Sequence, residues 1–107
     1  MAGSPTRRYE RHPCHLAAQL VFGGRSYRAE VQDLSVGGAS VETVDSVPVE
    51  TAGTLMVKLP GFESPLEAAV HVCWNEITPG HWSRLGIEFD ALKPAEFVAL
   101  MDFLGRG

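Results

Sequence analysis

The chain has 107 residues, 45% of them hydrophobic and 21% charged, with a net charge of −4. That length holds one domain with a single modest core, and no apolar run reaches the roughly 20 residues of a membrane helix. An acidic total argues against generic nucleic-acid binding through a basic surface.

The charge is unevenly placed. Arg7, Arg8 and Arg11 stand against Glu10 near the start, while the rest of the chain is strongly acidic. A positive arm on an acidic body suits a local anion site. Residues 1–13 lack the apolar core of a secretory signal. The two cysteines, Cys14 and Cys73, do not make a disulfide framework. A reducing cytoplasm is the expected compartment.

Residues 1–6 are small and polar and are expected to be a disordered N-terminus. The arginine segment follows, and Pro13 argues against a helix through it. From His15 to Phe22 the chain alternates, with Leu16, Ala18, Leu20 and Phe22 on one face. Gly23-Gly24 is a two-residue hairpin signal. Tyr27, Ala29 and Val31 then face inward, and Arg28, Glu30 and Gln32 outward.

The segment Asp33-Leu34-Ser35-Val36-Gly37-Gly38 interrupts this pattern. Alternation resumes with Ala39, Val41 and Thr43. Residues 44–53 read as a loop, followed by Leu55, Val57 and Leu59 in one phase. Pro60-Gly61 marks a turn. Leu66, Ala68, Val70, Val72 and Trp74 share the apolar phase of the longest strand, so Trp74 is expected in the core. Thr78-Pro79-Gly80 turns the chain again, and Leu85, Ile87 and Phe89 face inward on the last strand, with Arg84 outward.

The period then changes. Phe97, Leu100, Met101 and Leu104 form the apolar stripe of a helix, with Pro94 in its first turn and Gly105 at its C′ position. Such a short helix needs the sheet to stabilise it, and is expected to cover an open barrel end. The fold expected is all-β: a six-stranded antiparallel β-barrel with one C-terminal α-helix. The domain spans 7–104, and 105–107 form a tail.

Two segments carry chemistry. A guanidinium is planar, permanently charged and forked, so it suits phosphate, the O6/N7 edge of guanine, and base stacking. Three arginines within five residues could serve a nucleotide, or could be a solvated tail. Asp33 could accept from guanine N1 and N2, and Ser35 could bond phosphate or base. Gly37 and Gly38 could adopt positive φ and let a ligand approach the backbone. The same residues also make an ordinary strand-to-strand turn.

Together, Arg7-x-x-x-Arg11 before the first strand and Asp33-x-Ser35-x-x-Gly38 after the second resemble the PilZ domain family. The strand pattern, the Leu85–Phe89 strand and the C-terminal helix extend that resemblance over residues 7–104. It implies a small barrel that binds the bacterial second messenger cyclic di-GMP as monomer or intercalated dimer. By that resemblance the ligand-binding residues would be Arg7, Arg8, Arg11, Asp33, Ser35, Gly37 and Gly38. The implied domain stands alone, with no attached enzyme module, and relays the messenger to an effector protein of unknown identity. Motility or biofilm regulation is the implied setting.

No catalytic arrangement can be assembled around Ser35, so no enzyme is expected, nor a cofactor beyond the nucleotide ligand. His71 and Cys73 are two apart on one strand, but no further Cys or His completes a four-ligand metal site; no metal is expected. Cys14 and Cys73 are expected to be thiols. Trp82, out of phase with the last strand, reads as a rim residue or a surface anchor for a partner. Two other functions stay open: a PilZ-like interaction module that ignores nucleotide, and a small nucleic-acid-binding barrel.

Overall fold

A computed structural model of the chain describes residues 11–44, 51–80 and 82–105. It contains strands β1 (His12–Phe22), β2 (Arg25–Leu34), β3 (Gly38–Thr43), β4 (Ala52–Val57), β5 (Leu66–Ile77) and β6 (Ser83–Ala91). Helix α1 (Pro94–Gly105) follows. The strands close into a barrel in the order β1-β2-β3-β6-β5-β4, every pairing antiparallel. Residues 1–6, Arg7, Arg8 and 106–107 lie outside the described residues, as does the middle of the expected 44–53 loop.

Period-two alternation builds the core. Leu20, Val31, Val41, Leu55, Val70, Val72 and Leu85 are fully buried. The β1–β2 hairpin turns at Gly23 (φ 57°) and Gly24 (φ 78°), with Phe22 opposite Arg25. Positive φ at both positions is what a type I′ turn requires, and glycine supplies it without steric cost.

Four expectations need correction. Gly53 belongs to β4, not to a loop. It pairs with Val70, and a Cβ there would lie 2.3 Å from the Val21 carbonyl oxygen. The first strand begins at His12, three residues early, because Pro13 sits where the β1–β2 register is already irregular and needs no N–H. The helix is rotated from the stripe read in the sequence.

In α1, Leu100 joins the barrel core and Phe103 and Leu104 pack against it, while Phe97 and Met101 are 44% and 45% exposed. Apolar residues occupy both sides of this helix, Val98 included, so spacing alone does not fix its rotation. Its first turn is secured by the Lys93 N–H, which donates to Glu96 Oε1 at 3.3 Å, one half of a capping box. Gly105 is the last helical residue and not a left-handed cap, since positive φ among the described glycines occurs only at Gly23, Gly24 and Gly61. Helix α1 packs beside β5. Among the described residues no helix is long and apolar enough to cross a membrane.

Candidate functional site: a polar groove on the outer face of the barrel

Strict alternation would point Asp33 inward, because Val31 is fully buried two residues earlier. A register shift between Val31 and Asp33 prevents this. Val31 pairs with Val41 and Asp33 with Ser40, leaving Gln32 as the extra residue. Such a bulge re-aims the side chains that follow it. Asp33 therefore emerges on the outer face beside Gln32, and Leu34 returns to the core.

A second bulge does the same in β5. Val72 pairs with Ile87 and Trp74 with Gly86, so Cys73 is the extra residue. Trp74 leaves the core phase and is 38% exposed. This corrects its expected burial. The indole lies against Gly86, where a Cβ would come within 2.1 Å of Trp74 Nε1. A glycine in a strand interior often marks such a close approach.

The two bulges border one groove of about 590 Å³, lined by Arg11, Gln32, Asp33, Ser40, Trp74, Glu76 and Arg84. That volume lies in the range of about 300–1,000 Å³ typical of small-molecule sites. Arg11 and Asp33, 22 residues apart, meet here: Arg11 Nη1 donates to Asp33 Oδ1 at 2.9 Å. The same carboxylate oxygen accepts from the Ser40 N–H at 3.3 Å. Arg11 also reaches Ser40 Oγ at 3.4 Å. Arg84 faces Glu42 at 3.5 Å across β3 and β6.

Each arginine of the groove thus already has a carboxylate partner. Both pairs are part-exposed, so each contributes only about 0–1 kcal/mol. A polyanionic ligand could exchange these partners at small cost.

Ser35 does different work. Its N–H donates to the Gly38 carbonyl at 2.9 Å. Its hydroxyl accepts from the Gly37 and Gly38 N–H groups at 3.2 Å each and donates to the Gly38 carbonyl at 3.2 Å. With 5% exposure, it ties the loop shut from inside. Gly37 is bound to β6 through its carbonyl, which accepts from the Phe89 N–H at 2.9 Å.

The glycine at 38 is required by packing. A Cβ there would sit 2.1 Å from the Ile87 carbonyl oxygen. Neither Gly37 nor Gly38 has positive φ. For Ser35, Gly37 and Gly38 the turn reading describes the free protein, and their geometry sets the positions of Asp33 and Ser40.

Of the seven residues singled out from the sequence, Arg11 and Asp33 line the groove. Ser35, Gly37 and Gly38 form the loop between Asp33 and Ser40 and are not among its lining residues, and Arg7 and Arg8 lie outside the described residues. Sequence reading missed Gln32, Ser40, Trp74 and Glu76 as groove residues. Ser40 had a usable signal: it is the outward-phase residue between Ala39 and Val41. Arg84 was read as outward and lies in the groove.

The Cys14 thiol packs against the core, with Sγ 3.9 Å from the Val31 carbonyl oxygen. Burial pushes its pKa up, and the neighbouring Asp33 and Glu30 charges add to the effect.

The PilZ domain family profile matches residues 5–106. The chain belongs to the PilZ domain family. Solved PilZ structures share its fold at low identity. The Bacillus subtilis inhibitor of motility MotI/DgrA superposes with a TM-score of 0.81 at 21% identity, covering 96% of this chain and 51% of that one. The PilZ domain of Escherichia coli YcgR, determined with c-di-GMP, gives 0.73 at 17% identity, covering 94% of this chain and 90% of that one. The Klebsiella pneumoniae MrkH–c-di-GMP complex gives 0.79 at 13% identity, covering 94% and 52%. This PilZ chain therefore spans about half the length of MotI/DgrA and MrkH. No curated protein sequence matches it.

Proposed function

We propose that this PilZ domain is a receptor for cyclic di-GMP, bound in the groove on the outer face of β2, β3, β6 and β5. The observation that carries the reading is the meeting of Arg11 and Asp33 in that groove at 2.9 Å. Two motifs distant in sequence supply a forked cation and a carboxylate to one cavity that also holds an exposed indole face. Those are the three groups a guanine nucleotide needs.

In this reading Arg11 exchanges Asp33 for a ligand phosphate or the O6/N7 edge of guanine. The released Asp33 carboxylate accepts from guanine N1 and N2, while Ser40 and Arg84 contact the polar rim. Trp74 offers a stacking surface; base–aromatic stacking contributes about 1–3 kcal/mol per base. Arg7 and Arg8 supply the remaining positive charge from the segment before Arg11. Ser35 and Gly38 act through the loop they hold, not as direct readers. The c-di-GMP-bound state of the YcgR domain and of MrkH supports the choice of ligand.

The domain then acts as a binding module and not as an enzyme, relaying ligand occupancy to an effector protein through the arginine arm. A set of exposed apolar side chains, Trp82, Phe97, Val98 and Met101, gives the effector a surface to contact. The same residues favour the second reading, an interaction module that ignores nucleotide. Calorimetric titration with cyclic di-GMP, with GTP and cyclic GMP as controls, separates the two. Selective binding that is lost in Arg11→Ala supports the receptor. Absence of heat and of any thermal shift at high ligand would leave the interaction module.

A further inference from the structure

On β5, period-two alternation places Cys73 on the outer face next to His71, just before the bulge turns Trp74 outward as well. There β6 supplies what sequence spacing lacked. His71 Nε2 lies 3.8 Å from Cys73 Sγ and 3.4 Å from Glu88 Oε1. The three donor atoms lie within 4.8 Å of one another. On the other side of the imidazole, Nδ1 meets Asp90 Oδ1 at 2.5 Å.

We infer that His71, Cys73 and Glu88 form a zinc-binding site, with Asp90 as the residue that orients His71. This site is independent of the nucleotide reading.

Three features support the assignment. First, the two edges that meet at His71 suit a tetrahedral ion, and the third, between Cys73 and the exposed Glu88 carboxylate, lies within 4.8 Å. With Zn–N near 2.0–2.1 Å, Zn–S near 2.3 Å and Zn–O near 2.0–2.2 Å, tetrahedral angles place N and S about 3.6 Å apart and N and O about 3.3 Å apart. The observed separations of 3.8 and 3.4 Å are close to those edges. Second, with an ion bound, the Asp90 carboxylate behind Nδ1 would hold the ring proton there and leave the Nε2 lone pair facing Cys73 and Glu88. A carboxylate behind a ligating imidazole is the usual supporting arrangement at zinc centres. Third, two carboxylates and a thiol surround one imidazole, and a divalent cation would neutralise that cluster. Imidazole with thiolate selects a borderline-soft ion over magnesium or calcium, which take oxygen ligands. Three protein ligands leave the fourth position to water.

The test uses the full, tag-free chain with cobalt(II) chloride as spectroscopic probe and zinc chloride as competitor. The expected result is a thiolate-to-cobalt charge-transfer band that saturates at one equivalent and is abolished by zinc. The band disappears in Cys73→Ala and His71→Ala and persists in Cys14→Ala. Glu88→Gln weakens binding, and Asp90→Asn weakens it about 10–100-fold without removing a ligand. Zinc also slows alkylation of Cys73, read by mass spectrometry, which covers the case of a variant that fails to fold. Absence of the band in the wild-type chain overturns the assignment. So does a band that survives Cys73→Ala, or one indifferent to both Glu88→Gln and Asp90→Asn.

Discussion

Gly86→Ala places a single methyl group beneath Trp74. The added Cβ would stand 2.1 Å from Nε1 and 2.2 Å from Cε2 of the indole. Ordinary contact needs roughly 3.5 Å, so the ring must retreat by about 1.4 Å or swing into solvent. Backbone strain is not involved, because Gly86 lies outside the positive-φ glycines. If the displaced ring no longer stacks on a base, the loss is about 1–3 kcal/mol. That corresponds to cyclic di-GMP binding about 5–150-fold weaker. The assay is calorimetric titration of Gly86→Ala beside Trp74→Ala. Both are made in a Trp82→Phe background, so that in Gly86→Ala the remaining fluorescence reports Trp74 alone. The expected outcome is similar loss in both variants, with a red-shifted Trp74 emission in Gly86→Ala. Wild-type affinity in Trp74→Ala would refute the stacking role. Wild-type affinity in Gly86→Ala with a shifted emission would refute the need for the ring's position.

Gly38→Ala behaves differently, because its Cβ would meet the Ile87 carbonyl oxygen, backbone that cannot swing aside. Destabilisation of about 1–3 kcal/mol or more is expected in denaturant titration. Ser35→Ala removes an acceptor that two loop N–H groups share. It is expected to cost about 1–3 kcal/mol of stability and to weaken ligand binding by releasing the loop, measured by denaturation and calorimetry. The folded Cys14 thiol holds its proton more tightly than an ordinary thiol. Stability from this group is therefore fully present below the ordinary thiol range and lost as pH rises through the raised folded value. Urea midpoints across that alkaline range should fall in the wild-type chain, and Cys14→Ser should remove that part of the fall.

The strands were legible because a half-buried sheet imposes period two, and the chain obeys it from Leu16 to Phe22 and from Leu85 to Phe89. Gly23-Gly24 announced its turn for a conformational reason that the φ angles bear out. The groove was only half legible. Arg11 and Asp33 were readable as a charged pair of motifs, but Trp74 was assigned to the core because a bulge leaves no local signature. The bulge depends on how β5 registers with β6, a long-range property. The packing of Gly38 against the β6 backbone is likewise a long-range property that spacing does not show. Helix rotation failed for a related reason: with Phe97, Val98 and Met101 apolar as well as Leu100 and Phe103, the face is chosen by what the barrel offers. Spacing along β5 does not show that Glu88 and Asp90 stand beside His71, because both arrive from the neighbouring strand.

The location of the ligand is the central claim, and amide and indole chemical-shift mapping during titration with cyclic di-GMP tests it most directly. Saturating shifts are expected at Gln32, Asp33, Ser40 and Arg84 and at the Trp74 indole N–H, with the Gly23-Gly24 hairpin unmoved. Shifts confined to α1 or to the β1–β4 side, with the Trp74 indole unmoved at saturation, would contradict it.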